Sequence, residues 1–290
     1  MKIYKLIFLL FILLIYNFAG ASCQDNNPNK DAEFDILNPT TGGYTHSFFQ
    51  SKIRGNVDFN VYLPPSWSKK NSSQYPLIIL LHGQGGSEYS LTYVIPADSL
   101  NYWVKNKSIP EVVVIALSGG DNLSKMQWYT DSNENMVTSN ENGELRKYCY
   151  EKFNTSMKSS QISIIGYSRG ATGALNFAVN FPTKFSSIAS IAFVSDYAIE
   201  RLKQGIDVNH EKIINSGIKI QMWIGSKDGF VLKGNRKGSS IISSYLKEKG
   251  IANELKTIKG KTHSMFELFE NPNNLNYFKF CTKMWKNNSD

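Results

Sequence analysis

The sequence predicts an α/β fold: a mostly parallel central sheet with helices on both faces. Three observations predict it. Short apolar runs rich in β-branched residues recur along the chain, each the length of a strand buried on both faces. Helical candidates fall between them, so strand and helix alternate. No internal repeat and no linker interrupts residues 44–290, which makes that stretch one domain.

The elements follow in order. Asn56-Val57-Asp58-Phe59-Asn60-Val61-Tyr62-Leu63 alternates with period two and stops at Pro64-Pro65, the pattern of an early, half-exposed strand. Leu77 to Leu81 is a continuous apolar run after Pro76, and Val112 to Leu117 is another. Ile162 to Ile165, Ile188 to Val194, Ile218 to Ile224 and Asn253 to Ile258 supply four more strands. Helices are expected from Gly143 to Phe153, Ala171 to Asn180, Ser239 to Lys249 and Leu275 to Trp285.

The first residues read as an export address. Lys2 and Lys5 form a positive start, Leu6 to Tyr16 is an unbroken apolar run, and Ala19-Gly20-Ala21-Ser22 follows. That is the three-part layout of a signal peptide over residues 1–22. Eleven apolar residues fall short of the roughly 20 that span a bilayer. Small residues directly before Cys23 resemble a bacterial lipobox, with Gly20 where Leu is usual, so Cys23 is a candidate acylation site and membrane attachment point. Residues 23–43 then form an N-terminal tether rich in Asn, Asp and Lys. The remaining cysteines, Cys149 and Cys281, either pair in an oxidising compartment or stay as structural thiols.

Composition excludes other classes. A chain of 290 residues that is 41% hydrophobic buries a sizeable core and is not disordered. Its 21 Gly and 9 Pro follow no collagen period. The net charge of +8 falls to +6 once Lys2 and Lys5 leave with the signal. The densest basic stretches, Lys227 to Lys237 and Lys256 to Lys261, are broken by Gly or acids. No basic run alternates with aromatics as a base-stacking groove would, which argues against a nucleic-acid partner. The scattered excess reads as a solvated basic surface, and leaves affinity for acidic polysaccharide or anionic membrane open.

One segment carries chemistry. Ile162 to Ile165 runs into Gly166-Tyr167-Ser168-Arg169-Gly170, a G-x-S-x-G between a strand and a small-residue helix. A strand that turns abruptly into a helix leaves its middle residue strained and pointing outward, and the flanking glycines make room for neighbouring backbone. Ser168 is therefore the candidate nucleophile. In this arrangement an acid and then a His follow the Ser along the chain. Of four histidines, His46 and His82 precede Ser168, and His210 has no acid suitably placed before it. His263, just after the last predicted strand, is the candidate base. Asp228 ends the loop after the Ile218 strand and is the candidate acid, with Asp196, after the preceding strand, as runner-up. His82-Gly83-Gln84-Gly85-Gly86 follows a buried strand, and its glycines let the backbone present N–H groups. The amides of Gln84 and Arg169 are the candidate oxyanion donors. The loop lacks G-x-G-x-x-G and a following Lys-Ser/Thr, so nucleotide binding is not indicated. Trp128, Tyr129 and Asp131 lie in a long loop after the Val112 strand. Trp128 and Tyr129 fit either an aromatic platform under a sugar or phenolic ring or pins that hold the loop on the core, and the sequence leaves both open.

Assembled, residues 44–285 resemble the α/β-hydrolase superfamily, in the esterase branch that includes esterase D, enterochelin, feruloyl and acetylxylan esterases. The resemblance rests on Val61-Tyr62-Leu63-Pro64-Pro65, on Tyr75 to Gly86, on Trp128-Tyr129-Thr130-Asp131-Ser132, on Gly166 to Leu175 and on the Asp228 and His263 segments. It implies a hydrolase of carboxylic esters that uses Ser168, Asp228 and His263, with no cofactor and no metal. Arg169 and Ala171 depart from the Met and Gly that the family often carries there, and Arg169 would suit an acidic or polar substrate if its side chain turns inward. The reading is an exported serine esterase acting on acylated, feruloyl or acetyl, polysaccharide or related small esters. The rivals are a non-catalytic carbohydrate-binding or surface protein on the same scaffold and a serine peptidase of the same fold, whose usual propeller or cap this length does not accommodate. Acyl group, alcohol and oligomeric state are not legible.

Overall fold

The computed structural model describes residues 40–120, 128, 131–138, 143–193, 198–229, 236–283 and 285. Eight strands make one sheet in the order β1-β2-β4-β3-β5-β6-β7-β8. β1 (Tyr44–Ser51) and β2 (Gly55–Tyr62) form an antiparallel hairpin, and β2 pairs antiparallel with β4 (Val113–Leu117). The rest is parallel: β3 (Leu77–Leu81) lies between β4 and β5 (Ile162–Tyr167), followed by β6 (Ser187–Ile191), β7 (Lys219–Gly225) and β8 (Asn253–Ile258). All five residues of β3 and of β4 are buried, so these continuous apolar runs are strands covered on both sides.

The period-two alternation of each central strand builds two cores. Leu77, Ile79 and Leu81 point into one layer with Val113, Ile115 and Ile164. There they meet α3 (Asp131–Thr138), α4 (Glu144–Phe153), α5 (Arg169–Asn180), α6 (Ala198–Ser216) and α7 (Arg236–Glu248) through residues such as Met136, Phe153, Leu175, Leu202 and Ile242. Ile78, Leu80 and Val114 point the other way. There they meet α1 (Ser90–Val94), α2 (Ala97–Lys105), α8 (Met265–Leu268) and α9 (Asn273–Thr282) through Leu91, Trp103, Leu268 and Phe278. Each such Leu or Ile contributes about 1.5–3 kcal/mol by leaving water. The α/β fold class expected from the sequence is the one observed.

The differences have local causes. β1 was not expected, because polar residues surround its apolar pair Phe48-Phe49; the turn that closes on Gly55 at φ +85° brings it back along β2. The strand expected over Ile188 to Val194 ends at Ile191, since Ala192 takes φ +55°. α6 also lay outside the expected helices. It packs through Leu202, Ile206 and Ile213 and through Gly205, where a Cβ would sit 2.6 Å from Val179, so part of its contact stripe is backbone. Behind the site, the buried Glu134 carboxylate accepts from Asn176 at 2.6 Å and Arg201 at 2.9 Å, tying α3 to α5 and α6.

Cys149 sits on α4 in one core layer and Cys281 on α9 in the other, with the sheet between them, and both are free. Of the two readings the sequence allowed, buried structural thiols is the one observed. Burial pushes the Cys281 thiol up to about 12 and the Cys149 thiol higher still, so neither is a thiolate at neutral pH. Among the described residues, no helix is long and apolar enough to cross a membrane. The signal segment and Cys23 lie outside the described residues.

Candidate active site

Ser168 stands at the junction of β5 and α5 with φ +54° and ψ −114°, a conformation that costs a residue with a side chain about 1–3 kcal/mol. The glycines on either side make that turn physically feasible. A Cβ on Gly166 would lie 2.1 Å from the carbonyl oxygen of Gly170, and one on Gly170 would lie 2.0 Å from that of Leu81. The Ser168 amide donates to Ile191 at 2.9 Å, and its carbonyl accepts from Thr172 at 3.1 Å as the first bond of the helix. The strained turn is thus held from both ends.

His263 and Asp228 arrive on the loops after β8 and β7, and the backbone staples those loops together. The Lys227 amide donates to Lys261 at 2.8 Å and the Ser226 amide to Ile258 at 2.9 Å, while a Cβ on Gly225 would sit 2.3 Å from the Lys261 carbonyl oxygen. Glu267 closes the His263 loop from below: its carboxylate accepts the Thr262 amide at 2.7 Å and the Thr262 hydroxyl at 2.9 Å. Those donors hold the Glu267 carboxyl below its ordinary range. Tyr167 packs against the His263 ring at 5.5 Å between centroids, and its phenol donates to the His263 carbonyl. Burial, with the Asp228 charge behind it, pushes the Tyr167 phenol up to about 12, so it stays a donor.

The outcome is a continuous chain of hydrogen bonds. His263 Nδ1 lies 2.7 Å from Asp228 Oδ2, and Nε2 lies 3.0 Å from Ser168 Oγ. Asp228 is only 2% exposed and the His263 side chain 18%. A carboxylate only accepts, so Nδ1 carries the proton and donates to Asp228, which leaves Nε2 as an acceptor facing the Ser168 hydroxyl. This arrangement can deprotonate the hydroxyl as it attacks an electrophile and hold the resulting imidazolium against the carboxylate.

The loop after β3 completes the site, and His82 holds it. The Gly119 amide donates to His82 Nε2 at 2.9 Å, so Nδ1 carries the proton and donates to the Gly83 carbonyl at 2.7 Å. Burial lowers the His82 pKa to about 4, helped by the positive charge of Arg54, so the ring is neutral above that pH. Gly83 backs onto Ser168: a Cβ there would be 3.1 Å from Ser168 Cβ and from the Tyr167 ring. Gln84 follows on the exposed turn, and Arg169, directly after Ser168, is the first residue of α5, so one candidate donor comes from the glycine loop and the other from the helix start.

Trp128 is wholly buried. Its indole N–H donates to the His82 carbonyl at 2.9 Å, and its Cβ lies where Gly173 has no side chain. Of the two roles left open for it, the one its burial allows is the pin: Trp128 supports the glycine loop, and no face of its ring is open to a substrate. Asp131 begins α3. Tyr129 and Asp196 lie outside the described residues. His210 sits half-buried on α6, and His46 lies on β1 stacked on Tyr89. Among the described residues, no group of three or more His, Cys, Asp or Glu is placed to hold a metal ion. Sequence reasoning passed over His82, Tyr167 and Glu267. The signals were a His opening the glycine loop, an aromatic before the Ser, and a Glu four residues after the His, where it can cap.

Residues 51–236 match the family model described as "Putative esterase". A search of the curated proteins finds no match. Among solved structures, a ferulic acid esterase superposes with a TM-score of 0.69 at 16% identity, covering 83% of this chain and 98% of that one. The fluorophosphonate-binding serine hydrolase F of Staphylococcus aureus gives 0.64 at 17% identity, covering 83% and 99%. A feruloyl esterase module from Clostridium thermocellum, complexed with sinapinate, gives 0.62 at 14% identity, covering 86% and 92%. At these identities the solved structures speak for the fold, and the family match over most of the chain speaks for the kind of protein. The chain belongs to this esterase family and is a carboxylic-ester hydrolase on an α/β-hydrolase fold.

Proposed function

We propose that the chain is an exported serine esterase that works through an acyl-enzyme on feruloyl- or acetyl-substituted polysaccharide or related small esters. The observation that carries this is the hydrogen-bonded series from Ser168 through His263 to the buried Asp228, with Ser168 on a strained strand-to-helix turn. Ser168 Oγ attacks the ester carbonyl carbon while its proton passes to His263 Nε2. The tetrahedral oxyanion lies against the amides of Gln84 and Arg169, and the dipole of α5 favours its charge. His263 returns the proton to the departing alkoxide, which leaves as the alcohol. Water, deprotonated by the same imidazole, then attacks the acyl-enzyme and releases the acid. Asp228 keeps the imidazole in the right tautomer and balances its transient charge, without taking the proton.

The substrate class rests on the feruloyl esterases among the similar folds and on an Asn-rich composition, 28 Asn in the chain, that an exported carbohydrate-active protein can carry. Export rests on the three-part layout of residues 1–22 and on Cys23 behind small residues. A fluorophosphonate probe labels the protein at Ser168, and Ser168→Ala abolishes both labelling and p-nitrophenyl acetate hydrolysis while leaving the fold intact. Retained turnover in Ser168→Ala overturns the assignment. A panel of acetylated and feruloylated oligosaccharides against short-chain aryl esters tests the substrate class, and a preference for the plain aryl esters overturns it. Growth with a labelled fatty acid tests Cys23: label on the mature protein supports anchoring, and its absence means free secretion.

A further inference from the structure

A second concavity lies away from the catalytic residues, where the edge strand β8 and its neighbour β7 run under α9. It is a cleft of about 640 Å³. Its Lys219 end is remote from Asp228. At about 3.3 Å per residue, the seven-residue β7 puts about 20 Å between its two ends.

Four lysines converge on this cleft. Lys219 comes from β7 and Lys256 from β8, and Lys279 and Lys283 come from successive turns at the end of α9. One carboxylate is present, Glu254, and it is already engaged by Gln221 and by Lys256 at 3.4 Å. Lys219, Lys279 and Lys283 have no carboxylate partner among the described residues. Like charges gathered around one hollow repel each other and raise the local potential, an arrangement stabilised by an anion from outside. The floor is not merely basic. The half-buried Phe280 ring, resting on the buried Trp223, offers apolar surface, and the exposed Asn276 amide on the same helix offers polar atoms.

That combination is specific. A lone phosphate would use the ammonium groups alone and gains nothing from an apolar ring beside them. A membrane surface is met by a protruding basic face, whereas this one is hollow. A sugar acid uses all three features: its carboxylate meets the ammonium groups, its C–H faces meet the Phe280 ring, and its hydroxyls meet the Asn276 amide. We infer that the β7–β8–α9 cleft is a docking site for a uronate-bearing, acidic polysaccharide, separate from the catalytic centre. Occupancy of the cleft holds the enzyme on an anionic polymer while the esterase site works elsewhere on it. The inference concerns binding alone and stands or falls independently of Ser168.

The test uses the full chain, its Lys279→Glu/Lys283→Glu double variant, and three probes: polygalacturonate, neutral xylan, and vesicles of phosphatidylglycerol. Both substituted positions are exposed, Lys279 on α9 and Lys283 just past its end, so p-nitrophenyl acetate turnover is unchanged and reports an intact fold. Polygalacturonate binds the parent saturably and more weakly at high salt, and the double variant binds it roughly tenfold or more weakly. Neutral xylan binds both proteins alike. The inference is overturned if the parent does not bind polygalacturonate at low salt, if the double variant binds it equally well, or if xylan binds the parent as tightly. Loss of vesicle binding in the variant without loss of polygalacturonate binding also overturns it, and makes the cleft a membrane-facing patch.

Discussion

The indole N–H of Trp128 donates to the carbonyl of His82 over 2.9 Å, joining a buried aromatic to the residue that opens the glycine loop behind Ser168. The two rings also meet edge-on at 5.2 Å. Trp128→Phe keeps most of the packing and removes the donor, leaving a buried carbonyl unpaired. The expected cost is about 1–2 kcal/mol of stability. With Gln84 less firmly placed, kcat on aryl esters falls while KM changes little. A platform under the substrate would behave in the opposite way, with KM for feruloyl esters rising and kcat holding. Steady-state kinetics on one aryl acetate and one feruloyl ester separates the two outcomes.

His82 makes stability depend on pH in a defined window. The unfolded chain takes up a proton there below about pH 6.5, while in the fold burial delays protonation to about pH 4. Above pH 6.5 the ring is neutral in both states and the residue adds no pH dependence. As pH falls from 6.5 to 4, the unfolded state alone gains the proton. His82 then subtracts up to about 3 kcal/mol of stability, a loss that is complete below the folded pKa. Thermal melts across this range show Tm falling with pH, and in His82→Gln that limb is flatter. An identical slope in parent and variant would show that some other group carries the effect.

These residues mark what the chain makes legible before folding. β3 and β4 were readable because burial on both faces demands unbroken apolar runs, and the Ser168 turn was readable because only glycine tolerates the backbone contacts at 166 and 170. The placements of Asp228 and His263 followed from the rule that sites of open α/β sheets gather where strands end. β1 and α6 were not readable: one hides its pairing behind polar neighbours, and the other packs partly through Gly205. The support of the site was the least legible part. His82 acts by two hydrogen bonds that come from Gly119 and go to Gly83, and the partner at 119 lies thirty-seven positions away, which no local pattern records. Trp128 carried two readings because a sequence states an aromatic's presence but not whether its faces are open.

Backbone strain at Ser168 can be measured apart from its chemistry. Ser168→Ala and Ser168→Gly both remove the hydroxyl, and turnover is lost in each. Only Gly relieves the φ of +54°, so it melts higher than Ala by the strain released, about 1 kcal/mol, or roughly 2–4 °C for a domain of this size. Equal melting temperatures would mean that the turn stores nothing. The glycine at 170 has the opposite sign. A Cβ placed 2.0 Å from the Leu81 carbonyl oxygen must push β3 and α5 apart, so Gly170→Ala costs about 3 kcal/mol or more and disorders the turn at Ser168. Gly229→Ala is the control, since among the described residues nothing beyond its chain neighbours lies within 4 Å of its Cβ position, and it stays within about 0.5 kcal/mol of the parent.

Asp228→Asn tests the proposed chemistry with little change of shape. The carboxylate is 2% exposed and accepts from His263 Nδ1 at 2.7 Å. An amide there can turn its own N–H₂ toward Nδ1, which then becomes the acceptor and sends the imidazole proton to Nε2. The nitrogen facing Ser168 is now a donor and cannot take the hydroxyl proton. The expected fall in kcat is about 10³- to 10⁴-fold, with KM nearly unchanged and the fold retained. Asp196→Asn serves as the comparison, because that residue follows the preceding strand and was the other carboxylate at a strand end. If Asp228→Asn stays active while Asp196→Asn loses activity, the orienting acid is Asp196, and the bond between His263 and Asp228 only holds the two loops together.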